Sequence, residues 1–576
     1  MKEELHTSLS PQPKLDVVYR VGFIVVLMFA GYRMALACSR NVFLQDYVAS
    51  IQPGLVVAAP YDSPTSHAPA EKTKTKEKIN TWPLLYPTFP NEGVSLLQQL
   101  HENSTLPCSQ RRTFTAEVFG LPRPKNGEPI RLHTGKIHEL SIVSYEENGK
   151  RRCAGGDYFE TDLSGINWKT RPPILDNLDG SYGVQLMVDS RFAGLFVLKV
   201  VLLFANFHAL DTWNCTAWSR FENVVTVEIE FVAPEHEKLP ALRRCTDEDF
   251  SLKAWSGRWN RHTWNDTCEI RDDGRFVCID PNEECQEPWC DGKVGALESN
   301  GWVYSAHCKF KIFTKDEAWD CLNKRWLFFW GDSNHEDTVR NLLNFVLGFP
   351  LEDVNYFRRW FNGTVHHPDN PQYSLTITKI FNGHYEEAGN LIGLSSLRND
   401  SYRALLTSYF NGTRSPDTMV MNSGLHDAHF YKHASEFAHD GVDFAISFWQ
   451  SLWTQSPPSI IYRTTVAGAG FAKDGSHARD GVPNPHKMEI FNRIFVEKLQ
   501  QTLPGLKIVD AFDMTFPFHY DLNHTDGVHY GRGPSKTPWP WHHIHGFSKA
   551  TQVGHQYFVD LMLVHILLNA ICPLQI

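Results

Sequence analysis

Three stretches in the C-terminal half carry the residue types that ester chemistry needs. "WGDSNHED" contains Ser333, whose hydroxyl becomes a strong nucleophile only when a base takes its proton. "NHTDGVHYG" contains Asp526 and His529, three apart, a spacing that can set a carboxylate behind an imidazole and the imidazole against a serine. Between them, "TMVMNSGLHDAHF" ends an apolar run at Asn422, whose amide is suited to donate to an oxyanion. Each has a plainer reading: Gly-Asp-Ser is a common turn, a His near an Asp is more often structural, and Asn334, Glu336 and Asp337 suit the first turn of a helix simply as caps. Gly331 and Asp332 at the turn, Gly424 and His426 after the second run, and Arg463 in "IIYRTT" complete the candidates for a pocket lining, with Arg463 suited to clamp a carboxylate or phosphate. His542, His543 and His545 invite a metal, but the flanking Trp539, Trp541 and prolines favour a packed loop, and no metal is assigned.

Such residues work only if the chain holds them together. "RWLFFW" reads as a strand and Val339, Leu342, Leu343 and Val346 as one helix face, so Gly331-Asp332-Ser333 falls at a strand-to-helix turn beside unpaired helix N–H groups. "TMVMNSG", "FAISFW", "SIIYRTT" and "LKIVDAF" read as further strands, and "KMEIFNRIFVEKLQQTL" as a helix. Alternation of this kind predicts an α/β domain with a mostly parallel sheet over 323–576, with ligands at the carboxyl ends of its strands. Upstream, "TFTAEVFG", "IHELSIVSY", "YGVQLMV", "GLFVLKVVLLF" and "NVVTVEIEFV" alternate between turn signals and predict an all-β sandwich over 108–240. The segment 241–322 is expected to be a disulfide-stapled connector packed onto the domain after it.

The chain has 576 residues, 42% hydrophobic and 21% charged, values of an ordinary folded protein with room for several domains. Its net charge of −10 excludes a typical nucleic-acid binder, which needs a basic face. Three features bear on compartment. "VGFIVVLMFAGY", at 21–32, reads as a signal peptide or signal anchor within residues 1–40, and a Pro-, Ser-, Thr- and Lys-rich stem follows over 41–107. Sequons occur at Asn103, Asn214, Asn265, Asn362, Asn399, Asn411 and Asn523. Of the 12 cysteines, Cys245, Cys268, Cys278, Cys285, Cys290, Cys308 and Cys321 crowd into one segment, a disulfide framework in an oxidising lumen. Together they predict a Golgi-type luminal protein with a membrane anchor, with secretion as the alternative.

With these residues in order, the chain resembles the neurexophilin and PC-esterase domain (NXPE) family. Its 323–576 region resembles the PC-esterase branch of the SGNH hydrolase-like superfamily, which includes glycan O-acetylating proteins such as the plant trichome-birefringence-like proteins. The resemblance rests on Gly331-Asp332-Ser333, "NSGLHD" at 422–427 and Asp-Gly-Val-His at 526–529, after an immunoglobulin-like region of filamin type. It implies Ser333 as nucleophile, His529 as general base, Asp526 as orienting acid and Asn422 as oxyanion donor, with Gly389, Gly393 and Gly424 all open as the oxyanion glycine. It further implies an O-acyltransferase acting on glycans or glycoproteins, with no bound cofactor and a donor such as acetyl-CoA. The alternatives are a carbohydrate O-acetylesterase and a non-catalytic secreted ligand of a cell-surface receptor.

Overall fold

The computed structural model describes Leu85, Leu97 and most of the chain from 113 to 572. Within that stretch 123–126, 208–209, 211–218, 235–241, 266–268, 271–275, 351–358, 384–391, 454–456, 469–483, 520–527 and 532–556 lie outside the described residues. So do the apolar run at 21–32, the stem apart from Leu85 and Leu97, and the cluster His542, His543 and His545. The chain divides into Met1–Glu77 and Lys78–Ile576, and every described residue belongs to the second unit. Among the described residues no helix is long and apolar enough to cross a membrane.

The β region runs through β1 (Thr115–Phe119), β2 (Ile130–His133), β3 (His138–Tyr145), β4 (Tyr158–Gly165), β5 (Trp168–Thr170), β6 (Ile174–Asp176), β7 (Ser181–Leu186), β8 (Gly194–Phe204) and β9 (Ser219–Val232). The Cys-rich segment adds β10 (Arg258–Arg261), the small hairpin β11 (Glu269–Ile270) and β12 (Phe276–Val277), and β13 (Trp302–Ser305). Period-two alternation sends Leu140 and Ile142 of β3, and Phe196, Leu198, Val200 and Leu202 of β8, into one core shared by two sheets. The sheets are ordered β1-β3-β7-β6 and β13-β10-β5-β4-β8-β9-β2. The connector therefore does more than staple: β10 pairs with β5 and extends the larger sheet, so that sheet crosses the boundary expected at 240. It also meets the following domain, where Trp259 donates to the Met514 carbonyl at 2.8 Å and Tyr304 to Asp513 at 2.7 Å. Disulfides join Cys245 to Cys308, Cys285 to Cys290 and Cys321 to Cys572, and Cys153 and Cys278 are bonded as well. This bonding is that of an extracellular or secretory-type protein.

The C-terminal part contains α1 (Lys315–Leu322), β14 (Trp326–Gly331), α2 (Ser333–Asn341), β15 (Trp360–His366), β16 (Ser374–Phe381), α3 (Asp400–Ser408), β17 (Thr418–Met421), α4 (Leu425–Phe430) and α5 (Phe444–Leu452). It continues with β18 (Ser459–Arg463), α6 (Pro485–Thr502), β19 (Lys507–Val509), α7 (Ala511–Thr515) and α8 (Tyr557–Ile571). Its sheet is ordered β15-β16-β14-β17-β18-β19, parallel throughout except the antiparallel edge strand β15. β14 is buried on both faces. Leu327 and Phe329 enter one core and Phe328 and Trp330 the other, as its unbroken apolar run requires. "FAISFW" is not the expected strand but the body of α5; Ala445, Ile446 and Trp449 share one buried helical face, and a short apolar run cannot distinguish that from a strand. The β15–β16 pair was not foreseen. From β14 the chain goes first to β16 on one side and then to β17, β18 and β19 on the other, so the strand order reverses at β14, the kind of point at whose carboxyl end open α/β sheets bind ligands.

Candidate active site

Ser333 is the first residue of α2, directly beyond the carboxyl end of β14. Gly331 makes the approach possible: a Cβ there would fall 2.7 Å from Cγ and 2.8 Å from Cβ of His335, inside van der Waals contact. Asp332 is the N-cap, its Oδ1 accepting from the N–H groups of Asn334 at 3.0 Å and His335 at 3.3 Å. The cap leaves the Ser333 N–H without a partner among the described residues, as the first turn of a helix must unless a ligand fills it. His529 arrives from the other end of the domain, and its Nε2 lies 2.7 Å from Ser333 Oγ. Asp526 and Gly389 lie outside the described residues.

Buried polar atoms without partners gather around this turn: Asn334 Nδ2, Asp332 Oδ2, His426 Nε2, both ring nitrogens of His335 and all three guanidinium nitrogens of Arg463 make no hydrogen bond. Such an atom costs about 1–3 kcal/mol each, so a concentration of them around one helical turn marks a place built to receive polar groups. Burial holds the His426 imidazole down to about 4 and that of His335 well below its ordinary range, so both are neutral near pH 7. Deeper on α2, Glu336 is paired with Lys379 of β16 at 2.7 Å. Burial pushes Lys379 down to about 8, while on Glu336 the opposing effect of burial is outweighed by the Lys379 charge, which lowers its carboxyl.

Of the remaining candidates, Asn422 occupies another role than the one expected. Asn422 follows β17, and its Nδ2 donates to the Arg463 carbonyl at 3.0 Å and to Thr465 Oγ1 at 3.3 Å. Both amide hydrogens are spent on the neighbouring strand end, so Asn422 in this arrangement is a stitch between β17 and β18 and has no donor left for an oxyanion. Gly424 permits a close approach, since a Cβ would meet the Thr465 Cβ at 3.0 Å. Gly393 lies against the Asp427 carboxyl, which burial raises to about 6 and which accepts from Ser423 Oγ and the Leu394 N–H. Arg463 is only 1% exposed, a buried cation with Asp560 4.0 Å from its Nη2. His426 is nearly buried, its ring edge-on to Phe381 with centroids 5.3 Å apart. Asp332 serves as the cap described above.

Sequence reasoning passed over four asparagine and aspartate residues. Asn334, read only as a cap, carries an unpartnered buried donor next to the nucleophile. Asn382 ties three strand ends together: its N–H donates to the Gly331 carbonyl at 3.0 Å and its Nδ2 to the Asn422 carbonyl at 3.1 Å and Ser423 Oγ at 2.9 Å. Asn341 and Asp560 meet beneath the site, and one signal for the latter was available, an Asp inside the otherwise apolar run "YFVDLMLVHILL".

No family model and no curated protein matches the chain. Among solved structures, it is similar to the ZirS C-terminal domain at 9% identity, over 33% of this chain and 99% of that one, with a TM-score of 0.14. It is also similar to Axe2, an acetylxylan esterase from Geobacillus stearothermophilus, at 14% identity, over 43% of this chain and 94% of that one, with a TM-score of 0.23. At these TM-scores neither likeness bears on what the chain does.

Proposed function

We propose that residues 323–576 form an acyl-transferring domain that works through an ester on Ser333. The observation that carries this is the 2.7 Å contact between Ser333 Oγ and His529 Nε2 at the open N-terminus of α2. Ser333 Oγ attacks the carbonyl carbon of an acyl donor while His529 takes its proton. The oxyanion so formed meets the unpartnered Ser333 N–H and the positive end of the α2 dipole, with the Asn334 side-chain amide as a further donor. Collapse expels the donor's alkoxide or thiolate, which receives the proton from His529, and leaves acyl-Ser333. His529 then deprotonates an acceptor hydroxyl, which attacks the acyl-enzyme and regenerates the serine. Asp526, through its place before His529 in the chain, is assigned to orient the imidazole.

Water as acceptor makes the domain an esterase; a sugar hydroxyl makes it an O-acyltransferase. The transferase is the reading adopted, supported by the resemblance to glycan O-acetylating proteins and by a secretory-type setting in which Asn265, Asn362, Asn399 and Asn411 are all exposed sequons. The donor is an activated acyl ester or thioester, acetyl-CoA among them, and the acceptor a glycan or glycoprotein. A fluorophosphonate probe followed by peptide mass spectrometry tests the nucleophile. Ser333 should be labelled in the wild type and Ser333→Ala should lose both labelling and hydrolysis of p-nitrophenyl acetate, with its thermal midpoint unchanged. Equal turnover by Ser333→Ala would refute the mechanism. Adding candidate sugars separates the two acceptors, since product release indifferent to every sugar favours the esterase.

A further inference from the structure

His529 belongs to a short described segment, 528–531, whose flanking stretches lie outside the described residues. Three contacts among the described residues help to hold that segment, besides the one between His529 and Ser333. Val528 packs on the core containing Phe328 and Trp330, and Tyr530, nearly buried, donates to the Thr515 carbonyl at 3.1 Å. The third is polar: Asn341 Nδ2 donates to the Gly531 carbonyl at 3.0 Å and to Asp560 Oδ2 at 2.7 Å. Asp560, from α8, accepts through Oδ1 from Thr338 Oγ1 at 2.6 Å, and its charged neighbours include Arg463 at 4.0 Å and Arg340. Gly531 has no room for a side chain, since a Cβ would sit 2.7 Å from the Asp560 carboxyl carbon and 2.9 Å from Asp337 Cβ.

Thr338 and Asn341 lie on α2, the helix that begins with Ser333. The loop carrying the base is thus attached to the helix carrying the nucleophile, about 12 Å along it at 1.5 Å per residue. An asparagine amide can present either its oxygen or its NH2 to a neighbour. Here both neighbours, the Gly531 carbonyl and the Asp560 carboxylate, accept only, so the NH2 edge is the one orientation that satisfies both. Asp560 therefore fixes the amide of Asn341, and the amide fixes the backbone two residues beyond His529.

We propose that Asp560 is a positioning residue which, through Asn341 and the Gly531 carbonyl, sets His529 against Ser333. This deepens the acyl-serine reading and rests on it for its effect on rate. Asp560→Asn keeps the shape but lets Asn341 turn its oxygen toward an amide, releasing Gly531. Because misplacement of a catalytic group by about 1 Å costs roughly 10²-fold, Asp560→Asn should slow Ser333 labelling by fluorophosphonate and lower kcat for p-nitrophenyl acetate by about 10–100-fold, with KM unchanged. It should also raise hydrogen exchange at 528–531 while α8 stays protected. Should Asp560→Asn fail to fold, Gly531→Ala tests the same contact from the loop side and should show the same kcat loss and local exchange. The proposal is overturned if exchange at 528–531 is unchanged in the folded variant, or if Ser333 is labelled at the wild-type rate. The two ideas separate cleanly: a wild-type protein never labelled at Ser333 sinks the acyl-serine reading, while the exchange measurement still decides whether Asp560 holds the loop.

Discussion

Gly331→Ala is the sharpest perturbation that the site geometry offers. The added methyl would lie 2.7 Å from Cγ and 2.8 Å from Cβ of His335, with Nδ1 closer still. Ordinary carbon contacts begin near 3.5 Å, so the ring or the first turn of α2 must give by about 1 Å. The ring has little freedom, being 1% exposed and edge-on to Phe329 with centroids 5.3 Å apart. Overpacking of this kind costs about 1–3 kcal/mol. A shift of the first turn carries Ser333 away from His529, whose segment is held farther along α2 at Asn341 and by Val528 and Tyr530, and a displacement near 1 Å is expected to lower kcat roughly 10²-fold. The assay is a double-mutant cycle on thermal midpoint and p-nitrophenyl acetate turnover, with His335→Ala as the second change. Removing the ring removes the contacts with Nδ1 and Cγ and leaves only the one with His335 Cβ at 2.8 Å, so Gly331→Ala should cost less in the His335→Ala background. An undiminished loss in that background would refute the steric account.

The remaining expectations concern the frame around the site. Losing the Cys321–Cys572 bond through paired Ser substitutions frees a loop of 251 residues, worth about 5 kcal/mol in the chain-entropy limit. Because α8 carries Asp560, that change should slow Ser333 labelling more than paired Ser substitutions at Cys285 and Cys290; equal effects would contradict it. Asp513 sits at the junction with the β region, where burial and the neighbouring Asp510 push its carboxyl up to about 7. A raised carboxyl favours the folded state fully below its unfolded value near 4, and that contribution is lost as pH rises through about 7. Denaturant unfolding should therefore show the wild type losing up to a few kcal/mol between pH 4 and 8 relative to Asp513→Asn, and parallel pH profiles would refute the assignment.

What the sequence determined by itself is whatever depends on neighbours along the chain. The apolar run "RWLFFW" ending at Gly331 and the polar first turn at Asp332 and Ser333 specify a strand-to-helix turn locally, because capping and periodicity are matters of a few residues. The alternating segments of β1, β3, β7, β8 and β9 were legible for the same reason, and so was the cysteine density that implies disulfides. "FAISFW" was misread because its five apolar residues around Ser447 satisfy a buried strand and a buried helix alike, and only packing chose between them. The pairing of β10 with β5 was invisible, since register between segments some ninety residues apart is written in neither. The site divides along the same line. That Ser333 and His529 could meet was an inference from their types; that they do, 196 residues apart, is decided by the strand order reversing at β14. The role of Asn422 went differently from expectation because which way an amide turns depends on the acceptors around it, here the Arg463 carbonyl and Thr465 Oγ1. Asp560 itself gains meaning only in three dimensions, where a lone carboxylate in an apolar helix is brought beneath the nucleophile's own helix and must find donors there or remain buried without them.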